Sequence, residues 1–203
     1  MSMTSFDLRR WAHSTVLFAT LGAVAYAAAG ASQAGYVPER FTAQAVNRGE
    51  TTATPSRVEL RVDRWSTDGE KTRLARTLRE GGDDAFVSAL ETLEPLGQIR
   101  APMTFPVEVR YAWQDPLPDG GRRVILIADR AVMVWREAMH LRGTERFTVI
   151  ELRLPPDGEG EGKIAIGSRV GVNRSRDVVE LTDYDAEPLR LIDVRATPAR
   201  VTT

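Results

Sequence analysis

Apolar and polar residues alternate along the second half of the chain, from about residue 105 to residue 196. A period of two is typical of strands that bury one face. Turn residues interrupt the alternation, for example at 118–121 and 155–158, where Pro, Asp and Gly cluster. The pattern predicts antiparallel strands over residues 105–113, 122–128, 144–154, 162–172, 177–184 and 188–196.

Two parts of this region differ from simple alternation. Residues 124–128 are apolar on both faces, which predicts a strand in the centre of the sheet. Residues 131–141 fit either a helix or a strand, because their apolar positions satisfy both periods. The pattern leaves the conformation of that segment open.

The pattern before residue 100 predicts one strand followed by two helices. Residues 57–65 alternate as a strand does, and Thr67 with Glu70 then has the spacing of a capping box. Apolar residues recur at helical spacing on either side of Gly82. The glycine favours a break in the helix, and Pro95 follows the second helical stretch. We therefore predict a helical hairpin.

These elements predict a single α+β domain over residues 56–196 that is dominated by strands. An N-terminal strand and helical hairpin precede an antiparallel sheet of about six strands, curled as a half-barrel or a sandwich. Residues 35–55 lack a sustained period and are interpreted as a flexible leader or linker, and residues 197–203 as a frayed tail.

The N-terminal segment has the three parts of a secretory signal. Arg9 and Arg10 supply positive charge, residues 15–29 form an apolar run, and small residues follow. Cleavage is expected after Ala34 or after Ala31. An uncleaved membrane anchor is the alternative, although a spanning helix needs about 20 apolar residues. Residues 1–34 are thus predicted to be a signal peptide, and the mature protein to be periplasmic or secreted.

Composition removes several classes of function. The whole chain carries a formal charge of −1. Loss of residues 1–34, which themselves carry +1, leaves a charge of −2. This balance argues against nucleic acid as a partner, since phosphate binding needs a basic excess. The chain contains no cysteine, which excludes thiol chemistry and cysteine metal sites. We predict no cofactor.

No complete catalytic or metal-binding motif is present. Acidic residues alternate with glycine over residues 157–162, as in a calcium loop, but Ser168 stands where a bidentate Glu should close the site. His140 is the single histidine that remains after cleavage, and no nucleophile or orienting group is evident for it. Ser168 does not lie in a nucleophile elbow. The sequence therefore predicts no catalytic and no metal-binding residue.

Acidic residues cluster near the end of the chain. A pair of these carboxylates is the basis of an alternative function, hydrolysis of envelope or extracellular polymers. Local backbone bonding in a turn explains the same residues more simply. The cluster comprises Glu180, Asp183, Asp185 and Glu187.

Large aromatic residues offer apolar area and a polar edge for a small ligand. Trp113, Trp135 and Tyr111 are the candidate ligand-binding residues. The alternative is that they belong to the core, as large aromatics usually do in a domain of this size.

Four stretches, 64–68, 119–123, 147–154 and 160–163, read RWSTD, DGGRR, FTVIELRL and GEGK. With them, the chain resembles an uncharacterised family of exported bacterial proteins over roughly residues 57–195. The resemblance implies one domain and export, and it implies no activity, ligand or site residue.

The expected function is that of a non-enzymatic protein of the envelope or extracellular space. It would bind a small, apolar or lipid-like molecule, or another envelope protein. A cavity beneath Trp113 and Trp135 would favour the small ligand, carboxylates converging in a polar cleft would favour hydrolysis, and a filled core would favour protein interaction.

Overall fold

The computed structural model describes residues 37–47, 55–138, 146–156, 159–167, 170–182, 184 and 189–199. The strands are β1 Glu39–Asn47, β2 Ser56–Val62, β3 Gly97–Arg100, β4 Val107–Pro116, β5 Arg122–Ala128, β6 Thr148–Leu154, β7 Gly160–Ile166, β8 Val170–Asn173, β9 Val178–Leu181 and β10 Leu189–Pro198. The helices are α1 Asp68–Glu91 and α2 Met133–Ala138.

Eight of these strands form a closed antiparallel barrel in the order β1-β10-β7-β6-β5-β4-β3-β2. The domain is therefore strand-dominated with an antiparallel sheet, as predicted. The prediction of a curled sheet of about six strands was wrong, because β1 pairs with both β10 and β2 and so joins the two edges. The remaining pair, β8 and β9, forms a separate two-stranded sheet.

Strand β1 lies inside the segment that was predicted to be a leader. Its interior face carries Phe41, Ala43 and Ala45, all buried. Alanine contributes little to an apolar pattern, so the alternation is weak in the sequence although the strand is central to closure. At the other end of the chain, β10 continues to Pro198 and pairs with β1, so the predicted tail begins too early.

Several strand bounds also differ from prediction. The predicted strand 162–172 is divided into β7 and β8, and Gly167 between them has a φ of 90°. Strand β3 was missed because it has four residues and one buried apolar side chain, Ile99, between Gln98 and Arg100. Residues 133–138 of the ambiguous segment are helical.

Helix α1 is the predicted helical hairpin. Thr67 caps it, and both hydrogen bonds of the capping box with Glu70 are present. Gly82 breaks the helix with a φ of 65° and a ψ of −163°. The chain reverses after this break. The reversal is seen from the Arg73 Nη2, which donates to Thr92 Oγ1 over 3.0 Å although the two residues are 19 apart. Within the described residues, no helix is long and apolar enough to cross a membrane.

Apolar side chains form two separate clusters, one on each side of the barrel wall. The first fills the barrel interior, as expected for eight strands, and includes Trp135 from α2. The second lies between the outer face of strands β4 to β7 and the covering elements α1 and β8–β9, and it includes Tyr111 and Trp113.

The two ends of the barrel are closed differently. Helix α2 follows β5 and covers one end, where Thr148 Oγ1 accepts from the Val132 N–H over 3.0 Å and donates to the Arg130 carbonyl over 3.0 Å. We call this the α2 end. At the opposite end, where β1 begins, Arg122 Nη1 donates to Glu39 Oε2 over 2.9 Å and to Gln114 Oε1 over 2.8 Å.

Candidate functional site

The outer face of β4 to β7 changes from apolar to charged along its strands. Strand register aligns Tyr111, Ile127, Val149 and Ala165 in one apolar row. Four residues further along, Asp115 of β4, Arg123 of β5, Arg153 of β6 and Glu161 of β7 form a charged row. The covering hairpin β8–β9 thus meets a surface that is apolar at one end and ionic at the other.

Arg123 and Arg153 lie directly opposite each other on β5 and β6. Like charges in this position repel, so the sheet alone is electrostatically unfavourable there. The Arg123 Nη1 donates to Glu180 Oε2 of β9 over 2.6 Å, and its Nη2 donates to Asp115 Oδ2 over 3.0 Å. Glu180 of the hairpin therefore supplies negative charge that offsets the repulsion between the two arginines of the barrel wall.

Both partners affect the pKa of Arg123. Burial on its own would lower the pKa of this guanidinium, but the hydrogen bonds to Asp115 and Glu180 raise it above its ordinary value. Arg176 adds a second cation, 3.5 Å from Asp115 and 3.6 Å from Glu180. Asp115 and Glu180 are thus each paired with two arginines, which is typical of a structural ion network.

Glu151 of β6 is the most deeply buried carboxylate of this region, with 1% of its surface exposed. Burial raises the pKa of its side chain, and the nearby Arg123 and Arg153 lower it only in part. Its Oε1 lies 3.4 Å from Arg153 Nη2, and its Oε2 accepts from the Leu181 N–H of β9 over 3.4 Å. Glu151 therefore contacts the hairpin and has no open path to solvent.

Tyr184 covers the same region from just beyond β9. The Arg153 guanidinium lies 3.6 Å from the centre of its ring, and Lys163 Nζ lies 5.3 Å from it. Burial raises the pKa of the Tyr184 phenol. The ring stacks on one cation and shields a second, so it closes the ionic region on its outer side.

A cleft of about 680 Å³ opens beside this network, between the β4–β5 and β6–β7 turns. Arg123 and Arg153 line it together with three carboxylates, those of Asp119, Glu159 and Glu161. Glu159 pairs with Arg195 over 2.9 Å and Glu161 with Arg190 over 3.0 Å. Since the lining charges already have partners, the cleft presents little that would select a ligand.

The three candidate ligand-binding residues lie in the core and do not form one site. Tyr111 and Trp113 are 0% and 2% exposed in the outer cluster, and Trp135 is 2% exposed in the barrel interior. The Trp113 Nε1 donates to Asp115 Oδ1 over 3.0 Å, and Lys71 Nζ lies 4.4 Å from the ring centre. Burial also raises the pKa of the Tyr111 phenol well above its ordinary value.

Other residues singled out by the sequence lie outside the described part of the chain. These are His140, Ser168, Asp157, Asp183, Asp185 and Glu187. Of the acidic cluster, Glu180 is described and belongs to the ion network. Within the described residues, no group of three or more His, Cys, Asp or Glu side chains is placed to hold a metal ion.

A different feature was missed by the sequence interpretation, which placed residue 105 in a strand. The β3–β4 loop, Pro102 to Pro106, presents Met103 as fully exposed and Phe105 as 92% exposed. Thr104 Oγ1 donates to the Ala101 carbonyl over 3.1 Å. The signal was present in the sequence, because two prolines four residues apart cannot both belong to the interior of a strand.

This loop, which we call the Met-Phe loop, lies at the α2 end of the barrel. Register pairs Ile99 with Val107 at its base, and Val109 pairs with Ala128 just before α2. Met133 of α2, which is 52% exposed, adds a third apolar side chain at this end.

The fold defines the protein as a closed eight-stranded antiparallel barrel with a helical hairpin and a β-hairpin on its outer wall. Comparison of the chain with protein-family models, curated proteins and solved structures found no match.

Proposed function

We propose that the chain is an exported, non-enzymatic protein-interaction module of the cell envelope, periplasmic or secreted, with the Met-Phe loop as its contact element. The observation that carries the proposal is the exposure of Met103 and Phe105 at the tip of one loop. Burying such a side chain contributes about 1.5–3 kcal/mol each. Large apolar residues of this kind are the usual anchors of interfaces.

The loop conformation supports the same role. Pro102 and Pro106 restrict the backbone at both ends, and Thr104 closes the turn onto Ala101. Met103 has a φ of 59°, in the left-handed region that residues with a side chain rarely adopt. A loop held in this way loses less conformational entropy on binding than a flexible one.

Two features favour a protein partner over a small apolar ligand. The barrel interior is filled by its own side chains, including Phe41, Leu126 and Trp135. Both barrel ends are closed, one by α2 and the other by Arg122 with Glu39 and Gln114. An apolar ligand would have to displace packed side chains to enter.

Hydrolysis remains the second candidate, and one observation favours it. Burial raises the pKa of Glu151, and the nearby Glu180 carboxylate adds to the rise. A carboxyl group with a raised pKa beside a second carboxylate is the arrangement of a general acid in glycoside hydrolysis. Glu151 is nevertheless covered by β9, and the carboxylates that line the cleft are Asp119, Glu159 and Glu161. A substrate would reach Glu151 only after the hairpin had moved.

The proposal is tested by placing a photo-cross-linking amino acid at position 105 of the full chain, in cells of its native host. Position 37 is the matched control, because Val37 is also apolar and exposed and lies at the opposite end of the barrel. We expect a discrete cross-linked protein from position 105 that is absent from position 37. The proposal fails if a folded, exported protein gives no protein cross-link from position 105.

A further inference from the structure

The Met-Phe loop and the start of β1 lie at opposite ends of the barrel. Strand β1 begins at Glu39, which pairs with Val62 at the end of β2. Strand β3 ends at Arg100, which pairs with Glu59 toward the start of β2. The chain thus enters the barrel at one end, and the loop projects from the other.

Two cations flank the loop without a carboxylate partner. Arg100 lies two residues before Pro102, and Arg57 lies two residues beyond Glu59 on the same outer face of β2, toward the loop. Both are exposed. Within the described ranges, neither has an acidic oxygen within 4.0 Å, whereas Arg100 has a single weak hydrogen bond to Gln98 at 3.5 Å.

Three described carboxylates of the same barrel end are already paired. Arg110 lies 2.7 Å from Glu108 and 2.8 Å from Asp129, and Asp129 also contacts Arg130 at 3.2 Å. Glu59 lies 3.6 Å from Arg40. Among the described residues that flank the loop, the charges without an ion-pair partner are therefore those of Arg57 and Arg100.

We propose that the Met-Phe loop inserts into an apolar pocket rimmed by carboxylates on another envelope protein, which approaches the α2 end of the barrel. The inference rests on the proposed function and specifies its partner. The apolar tip fits the pocket, and the two arginines fit its acidic rim.

A lipid surface is the less suitable occupant. Stable attachment to a membrane takes two signals, such as an acyl chain with a polybasic patch, and two apolar side chains with two arginines supply less than that.

The test uses the full chain with the photo-cross-linking residue at position 105 and adds charge reversals. Arg57→Glu and Arg100→Glu should each lower the cross-link yield about 3- to 10-fold. Arg76→Glu is the matched control, since Arg76 is exposed on α1, away from the loop. Thermal unfolding of each variant should stay within about 2 °C of the parent, because the changed side chains are exposed.

The cross-linked site on the partner is then mapped by mass spectrometry. In a separate assay, the purified protein is sedimented with vesicles that contain roughly 30% phosphatidylglycerol, an anionic lipid that supports electrostatic binding. Support requires an apolar site flanked by Asp or Glu and a yield that falls only in the Arg57 and Arg100 variants. Cross-linking to lipid or to a second copy, or binding to the vesicles, overturns the inference. A protein cross-link whose yield is unchanged by Arg57→Glu and by Arg100→Glu also overturns the inference, but it leaves the proposed function intact.

Discussion

Replacing Arg123 by methionine removes the cation that joins β5 to the covering hairpin. Methionine keeps much of the length of the side chain and loses both ion pairs, to Glu180 at 2.6 Å and to Asp115 at 3.0 Å. The Arg123 side chain is 8% exposed, so water cannot replace the lost partner. We expect the hairpin β8–β9 to detach more readily from the barrel.

The magnitude follows from burial and from the remaining charges. Removing one member of a buried ion pair costs about 3–5 kcal/mol, because the other charge is left without compensation. Glu180 is 24% exposed, and Arg176 stays within 3.6 Å of it, so part of the loss is offset. We therefore expect Arg123→Met to lower the free energy of unfolding by about 2–4 kcal/mol.

The control is Arg79→Met. Arg79 lies 2.6 Å from Asp177, which equals the distance from Arg123 to Glu180. The Arg79 pair joins α1 to the β8–β9 turn. Because the Arg79 side chain is 39% exposed, its pair should contribute only about 0–1 kcal/mol. The two variants differ in burial and share the ion-pair length.

Urea unfolding of both variants, with Glu180→Gln and the double variant Arg123→Met/Glu180→Gln, measures the effect. The double-mutant cycle should give a coupling energy of about 1–2 kcal/mol. Hydrogen exchange should accelerate in β8 and β9 before it does so in β5 and β6. Equal losses for Arg79→Met and Arg123→Met, or an absent coupling energy, would show that burial does not decide the strength of this network.

Three further variants test the carboxylate and the barrel core. Because the folded-state pKa of Glu151 is raised, the native state binds the proton more tightly than the unfolded state does. The stability of the parent relative to Glu151→Gln should therefore be greatest at low pH and fall as the pH rises through that pKa. The difference is measured by urea unfolding at intervals between about pH 4 and pH 8, and a constant difference would contradict the prediction. Trp135→Ala should lower the free energy of unfolding by about 3–5 kcal/mol. Trp135→Phe should lower it by only about 1–2 kcal/mol, because the buried Nε1 has no hydrogen-bond partner among the described residues. Thermal melts that give equal losses for Trp135→Ala and Trp135→Phe would refute this.

The sequence predicts the helical hairpin and the central strand well, because their signals are local. Thr67 and Glu70 form the expected capping box, and Gly82 breaks the helix with a positive φ. Strand β5 occupies the predicted residues 122–128, with residues 124–128 buried on both faces. These features depend on neighbours within a few residues in the chain.

Closure of the barrel could not be predicted in the same way. It depends on β1, whose interior face is largely alanine and whose pairing partner β10 is about 150 residues away, as in the pair Thr42 and Arg195. It also depends on β3, a four-residue strand with one buried apolar side chain, Ile99, among Gly97, Gln98 and Arg100. Both strands owe their existence to tertiary pairing rather than to intrinsic preference.

The ion network was equally hidden. Glu180 was singled out from the sequence, but it was grouped with acids that are near in the chain rather than with Arg123, which is 57 residues away. The charged row Asp115–Arg123–Arg153–Glu161 becomes visible only once the register of four strands is known. A linear charge pattern carries no such information.

The way the barrel is closed limits where its function can reside. The α2 end is filled by apolar side chains that include Val132 and Trp135, and the other end by Arg122, whose guanidinium also lies 5.9 Å from the centre of the Phe41 ring. A barrel sealed at both ends offers a rigid support rather than a container. An exposed Phe105 at the tip of such a support keeps its position whether or not a partner is bound, and the entropy lost on binding is small. Under the proposed function, the rigid barrel and the exposed loop would serve the same purpose, which is to present an apolar anchor to another protein.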